Sequence, residues 1–160
     1  MATLYLLRHG IAEPHGDDPP LAEEGIALME AEARGIAALG LRFDAILSSP
    51  LRRARQTAGI VADALGLSDR MSVHHELSPG CRLIGLTPLF RAHLAAGSLL
   101  LVGHQPDMGR IVSDLIGDRE TLHLDRGALA CLEVAGWPPG PPATLARLLG
   151  PDFLAGRSGG

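Results

Sequence analysis

The chain of 160 residues is 46% hydrophobic and 20% charged, with a formal net charge of −4. That allows one ordinary buried core and excludes the strong field that draws proteins to nucleic acid or to an anionic membrane surface. The run Leu4 to Leu7 is far shorter than a secretory h-region, and no stretch approaches the ~20 apolar residues of a membrane span, so a cytoplasmic location is expected.

The predicted elements alternate between strand and helix. Thr3 to Leu7 reads as a strand, followed by a polar loop from Gly10 to Pro20 and a helix from about Leu21 to Leu39, with Gly40 at its C-cap. Phe43 to Leu47 reads as a second buried strand. Ser48, Ser49 and Pro50 then supply cap candidates and an early proline for a helix that ends at Gly66. Met71 to His75 suits a short strand, Thr87 to Ala96 a helix, and Ser98 to Val102 an apolar strand covered on both faces. A helix from about Pro106 to Ile116 comes next. Two strands, Ala128 to Val134 and Thr144 to Leu149, flank the turn-rich segment Gly136 to Pro142, which favours an antiparallel edge over another crossover. The expected fold class is α/β, a three-layer α/β/α sandwich around a mainly parallel sheet with an antiparallel edge. Residues 1–155 are expected to form a single domain and 156–160 a disordered tail.

In such a sheet the chemistry lies in the crevice beyond the carboxyl ends of the strands. The first strand ends in Arg8-His9-Gly10, the second leads to Arg53, the later apolar strand ends in Gly103-His104, and Glu76 follows the run Met71 to His75. These residues, distant in sequence, should meet on one rim. Gly10 would let the backbone turn sharply and approach a ligand closely. Arg53 falls in the first turn of its helix, where free amides favour an anion, and shares a face with Gln56 and Thr57 at i+3 and i+4. Arg52 and Arg55 lie off that face. All fourteen Lys+Arg residues are arginine, so Schiff-base chemistry and phosphate binding by a Walker-type lysine are excluded, whereas the planar arginine fork matches two phosphate oxygens at once.

Metal chemistry is not expected. His15, His74, His75, His93 and His123 form no HxxxH or HxH pattern with a nearby carboxylate, and adjacent His74 and His75 would point to opposite faces of a strand. Ser48 and Ser49 sit in no GxSxG elbow, and capping accounts for both. Cys81 and Cys131 lack CxxC spacing and read as reduced structural thiols.

The stretch Leu4-Tyr5-Leu6-Leu7-Arg8-His9-Gly10, followed by Ser49-Pro50-Leu51-Arg52-Arg53-Ala54-Arg55-Gln56-Thr57-Ala58 and by Val102-Gly103-His104, resembles the histidine phosphatase superfamily and its short SixA-type phosphohistidine phosphatases. The resemblance covers nearly the whole chain and implies the phosphoglycerate-mutase-like fold and metal-independent, cofactor-free catalysis. His9 would be the nucleophile that becomes phosphohistidine. Arg8, Arg53 and His104 would hold the phosphoryl oxygens. Glu76 matches the position of the proton donor in larger members. In one departure, Pro20-Leu21-Ala22-Glu23-Glu24-Gly25 stands where the family pattern is Pro-Leu-Thr-x-x-Gly, which removes a helix cap worth about 1 kcal/mol.

The implied substrate is a phosphorylated protein, such as a histidine-phosphotransfer domain in signal transduction, or a small phosphate ester. An imidazole leaving group with a pKa near 6.5 needs much less help from an acid than an alkoxide does, which favours phosphohistidine for a minimal site. No lid-forming insertion stands between Glu76 and Leu99. A small-molecule phosphomonoesterase, a phosphoglycerate-mutase-like enzyme and a non-catalytic phosphate-binding module remain the alternatives.

Overall fold

The computed structural model describes residues 1–157. Its strands are β1 (Ala2–Arg8), β2 (Ala45–Ser48), β3 (Met71–Val73), β4 (Ser98–Gly103), β5 (Leu129–Val134) and β6 (Thr144–Leu149). They form one six-stranded sheet in the order β3-β2-β4-β1-β5-β6. β1 pairs in parallel with β4, β4 with β2, and β2 with β3, whereas β5 runs antiparallel to β1 and β6 antiparallel to β5. The α/β fold with an antiparallel edge is thus as expected.

Helices α1 (Glu23–Ala38), α2 (Arg52–Leu65) and α5 (Pro151–Leu154) cover one face, and α3 (Thr87–Arg91) and α4 (Asp107–Ile116) the other. The two-residue period of a strand divides β1 between them. Leu4 and Leu6 pack with Phe90 and Ile111, while Tyr5 and Leu7 pack with Met29, Ile36 and Val61. Because both faces are covered, the central strands carry continuous apolar runs, Leu4 to Leu7, Ala45 to Leu47 and Leu99 to Val102. Each fully buried leucine contributes about 1.5–3 kcal/mol.

The elements differ from expectation where short-range signals compete. The helix anticipated over Thr87 to Ala96 is α3, which stops at Arg91, and it is preceded by a 3₁₀ turn over Leu83–Leu86. β3 ends at Val73, and His75–Leu77 forms a 3₁₀ turn, so His74 and His75 do not alternate along one strand. α5 was not anticipated. It docks on α1 where Gly35 leaves room, since a Cβ there would lie 1.7 Å from the Leu154 carbonyl oxygen. Of the expected tail, Gly156 and Arg157 are tied back by backbone bonds to Phe153 and Asp152, and 158–160 lie outside the described residues. No helix among the described residues is long and apolar enough to cross a membrane. Cys81 and Cys131 are both unpaired.

The carboxyl ends of β1, β2 and β4 lie level, with Arg8 beside Gly103 and Ser48 beside Val102. Because β5 is antiparallel to β1, it starts at this same rim, with Leu129 beside Leu7, and β6 ends there, with Leu149 beside Leu129. The turn before β5 and the start of α5 therefore border the crevice as well.

Candidate active site

His9 leaves β1 with its amide bonded to the Gly103 carbonyl, so the ends of β1 and β4 present His9 and His104 side by side. Their rings lie 5.3 Å apart between centroids, tilted by 58°. They are 7% and 4% exposed, which places both imidazoles at the floor of the crevice. His9 Nδ1 is 2.7 Å from the Gly10 carbonyl oxygen, an atom that only accepts, so Nδ1 carries the proton. Nε2 then holds the lone pair, and Arg53 Nε–H donates to it across 3.2 Å.

Electrostatics keep both rings neutral. Burial, the first cause, and the charges of Arg53, Arg8 and Arg126 lower His9 to about 4, against the bond to Gly10 that works the other way. His104 is lowered to about 4 by burial and by His9, Arg53 and Arg8, with Asp18 opposing. Burial, and next the charge of Arg126, also lowers Arg8 from its ordinary value. Such mutual repulsion among cations is relieved when an anion enters.

The face of α2 that carries Arg53 holds the loop after β1. Thr57 Oγ1 accepts from the Gly10 amide at 3.0 Å and donates to the Arg53 carbonyl at 2.8 Å, and Gln56 Oε1 accepts from the Leu21 amide at 2.6 Å. Arg52 and Arg55 are exposed, as their positions off this face require. Gly10 turns out to be needed for packing, because a Cβ there would sit 2.7 Å from Met29 Cγ, and its φ is not left-handed. The glycine after the uncapped Ala22 has a similar origin: the Ile11 carbonyl accepts from the Ala22 amide and lies 2.0 Å from where a Gly25 Cβ would fall.

Three contributors escaped the sequence reading. Ser49 Oγ, fully buried, is 2.8 Å from His104 Nε2 and accepts from the Leu51 amide at 3.3 Å, so it anchors the second imidazole as well as the helix entry. Asp18 Oδ1 accepts from the Arg52 amide at 2.9 Å, bringing a carboxylate of the 10–20 loop to the start of α2. The turn before β5 wraps Arg8, whose guanidinium donates to the Leu124 carbonyl at 2.9 Å. Arg8 Nε and His104 Nδ1 are buried without a partner, the state of groups that a ligand oxygen would satisfy.

Among the described residues no hydrogen bond joins Glu76 to this cluster. It occupies the 3₁₀ turn after β3, on the same rim beyond β2, where His75 Nδ1 contacts its Oε1 at 2.8 Å. Three further histidines are engaged locally: His74 Nε2 with Ser72 Oγ, His93 Nδ1 with the Leu89 carbonyl, and His123 Nε2 with Asp125. Among the described residues no three His, Cys, Asp or Glu side chains converge as metal ligands would. A cleft of about 430 Å³ lined by Ala37, Leu41, Asp44, Leu65 and Arg70 lies at the opposite ends of β2 and β3 and brings no comparable cluster together.

Residues 4–78 match the family model of the histidine phosphatase superfamily (branch 1). An uncharacterised protein of Picosynechococcus sp. is 42% identical over 129 residues, covering 76% of this chain and 78% of its own. The 2,3-bisphosphoglycerate-dependent phosphoglycerate mutase of Methylobacterium sp. is 38% identical over 80 residues, but the match spans only 46% of this chain and 38% of the mutase. Among solved structures, the protein histidine phosphatase SixA complexed with tungstate superposes with a TM-score of 0.83 at 23% identity, covering 93% of this chain and 97% of its own. SixA of Agrobacterium tumefaciens superposes with a TM-score of 0.78 at 27% identity, over 92% and 97% of the two chains.

Proposed function

Because the chain belongs to the histidine phosphatase superfamily, we propose that it is a phosphatase that hydrolyses phosphohistidine on a protein through a covalent intermediate on His9. The observation that carries this reading is the neutral His9 imidazole, with its lone pair on Nε2, set among Arg8, Arg53 and His104.

In the first step His9 Nε2 attacks phosphorus, the Nε2–P bond forms, and the bond from phosphorus to the leaving nitrogen breaks with its electron pair going to that nitrogen, while the other nitrogen of the substrate ring carries a proton, so that neutral imidazole departs. The Nδ1–H bond to the Gly10 carbonyl steadies the positive ring that results. Arg8, Arg53 and His104 bind the three non-bridging oxygens, and the guanidinium of Arg53 moves from His9 Nε2 to the oxyanion as the lone pair is used. In the second step water attacks phosphorus and the Nε2–P bond breaks, releasing inorganic phosphate and restoring neutral His9.

Glu76 is the candidate donor to poorer leaving groups, from a rim position already paired with His75. An imidazole leaving group, with a pKa near 6.5, tolerates a weak donor where an alkoxide does not. Residues 1–155 serve as one catalytic unit in this reading. The phosphoglycerate mutases among the relatives favour a second reading, a small phosphate ester as substrate.

Turnover of phosphohistidine peptides, phosphoglycerates and sugar phosphates by the same preparation separates the two. We expect the highest kcat/KM on phosphohistidine, and a Glu76→Gln variant slowed more on alkyl phosphates than on phosphohistidine. Preference for a sugar phosphate or a phosphoglycerate would overturn the assigned substrate. Equal losses on both substrates would remove Glu76 as acid.

A further inference from the structure

Beside the cluster, on the β5 side of the rim, lies a cleft of about 440 Å³ whose walls include Arg8, Ile11, Leu28, Asp125, Arg126 and Asp152. From it we infer a substrate subsite, in which Arg126 binds a carboxylate adjoining the phosphoryl group held by Arg8. This inference rests on the phosphatase reading above and extends it to the part of the substrate that is not transferred.

The fold fixes Arg126 in this place. The antiparallel course of β5 brings the turn 124–128 to the rim where β1 ends. Gly127, in the left-handed region at φ 80°, points its amide at the carbonyls of Arg8 and His9, at 3.0 and 3.1 Å. The Arg8 amide in turn donates to the Ala128 carbonyl at 3.1 Å, and the Arg8 guanidinium to the Leu124 carbonyl at 2.9 Å. The residue between Leu124 and Gly127 that carries a cation is therefore tied to the nucleophile's own backbone, not left on a free loop.

The charges decide what the cleft accepts. Arg126 is exposed and takes part in no ion pair among the described residues, and its charge is felt at both Arg8 and His9. Two carboxylates also line the walls: Asp125, which His123 Nε2 contacts at 3.0 Å and whose charge partly offsets that of Arg126 at Arg8, and Asp152 of α5. An incoming carboxylate would meet the guanidinium groups of Arg8 and Arg126, while Asp125 and Asp152 would repel a longer run of negative charge. Ile11 and Leu28 add apolar surface to the lining, which suits the carbon stem of such a group. An acidic side chain near a phosphohistidine offers this chemistry, and so does the carboxylate of a small phosphate ester.

The test compares kcat/KM on two phosphohistidine peptides that differ only in an acidic or an amide residue beside the phosphohistidine, and on 3-phosphoglycerate against glycerol 3-phosphate. In the unsubstituted protein the acidic peptide should be preferred by about fivefold, the scale of a partly exposed ion pair. Arg126→Ala should erase that ratio, Arg126→Glu invert it, and Arg126→Lys keep most of it, with Arg91→Ala on α3 as a distant charge control that leaves it intact. A ratio unaffected by Arg126→Glu in protein that still labels on His9 would overturn the subsite alone. Absence of any label on His9 would instead overturn the phosphatase reading. A carboxylate preference confined to the phosphoglycerate pair would assign the subsite to small esters and overturn the protein source.

Discussion

Arg53 Nε and His9 Nε2 are 3.2 Å apart, and the Nδ1 proton of the same imidazole is committed to the Gly10 carbonyl. The two contacts together admit only the neutral ring with its lone pair toward Arg53. Protonating Nε2 would set a donor against a donor, in a place where Arg8 and Arg126 already oppose positive charge.

The pH dependence follows from that pair. His9 and His104 are lowered to about 4 from 6.5, so the folded protein binds fewer protons than the unfolded chain between those values. Stability from this source is present above pH 6.5 and is lost as pH falls toward 4. Over the same window His9, the proposed nucleophile, stays unprotonated. We expect the acid limb of kcat/KM for an aryl phosphate, corrected for substrate ionisation, to lie well below 6.5; a limb at 6.5 or higher would show an ordinary imidazole.

Ser49 is the support of the second imidazole. Ser49→Ala leaves His104 Nε2 buried without its 2.8 Å partner, a loss of about 1–3 kcal/mol for such a group. We expect kcat to fall about tenfold with KM little changed. Steady-state kinetics beside a thermal melt check this, and a lower melting temperature with unchanged kcat would confine Ser49 to a structural part.

Glu32 gives a prediction independent of the site. Its carboxyl is 0% exposed, packs against Gly127, has neither oxygen bonded, and is raised to about 9, first by burial and then by Asp152. A raised carboxyl means that the folded state binds more protons than the unfolded chain between pH 4.5 and 9, so stability declines as pH rises through that window. Glu32→Gln should remove the decline and stabilise the protein at pH 8 by about 1–3 kcal/mol. Urea melts at pH 5 and pH 8 test this. Equal pH dependence in both proteins would mean that Glu32 is ionised and solvated.

Local patterns made the strand ends legible, and together with the family resemblance they singled out Arg53, which shares a helical face with Gln56 and Thr57; all three reach the segment from His9 to Leu21. What escaped depends on contacts between distant segments. Ser49 reads as a cap in its own neighbourhood, and only the parallel pairing of β2 with β4 sets it against His104. Glu32 is one glutamate among several in α1 until the turn at Gly127 covers it. α5 spans only four residues, too few for a periodic signal, and its place depends on the missing side chain of Gly35. The helix from Thr87 ends early because the chain must turn into β4, which a run of helix formers does not reveal.

Rapid quenching with a radiolabelled phosphoryl donor tests the covalent intermediate most directly. We predict an acid-labile, alkali-stable label confined to the peptide that contains His9 and absent from His9→Ala, which should also lose turnover. Turnover that persists in His9→Ala, or a label on any other residue, would contradict the mechanism.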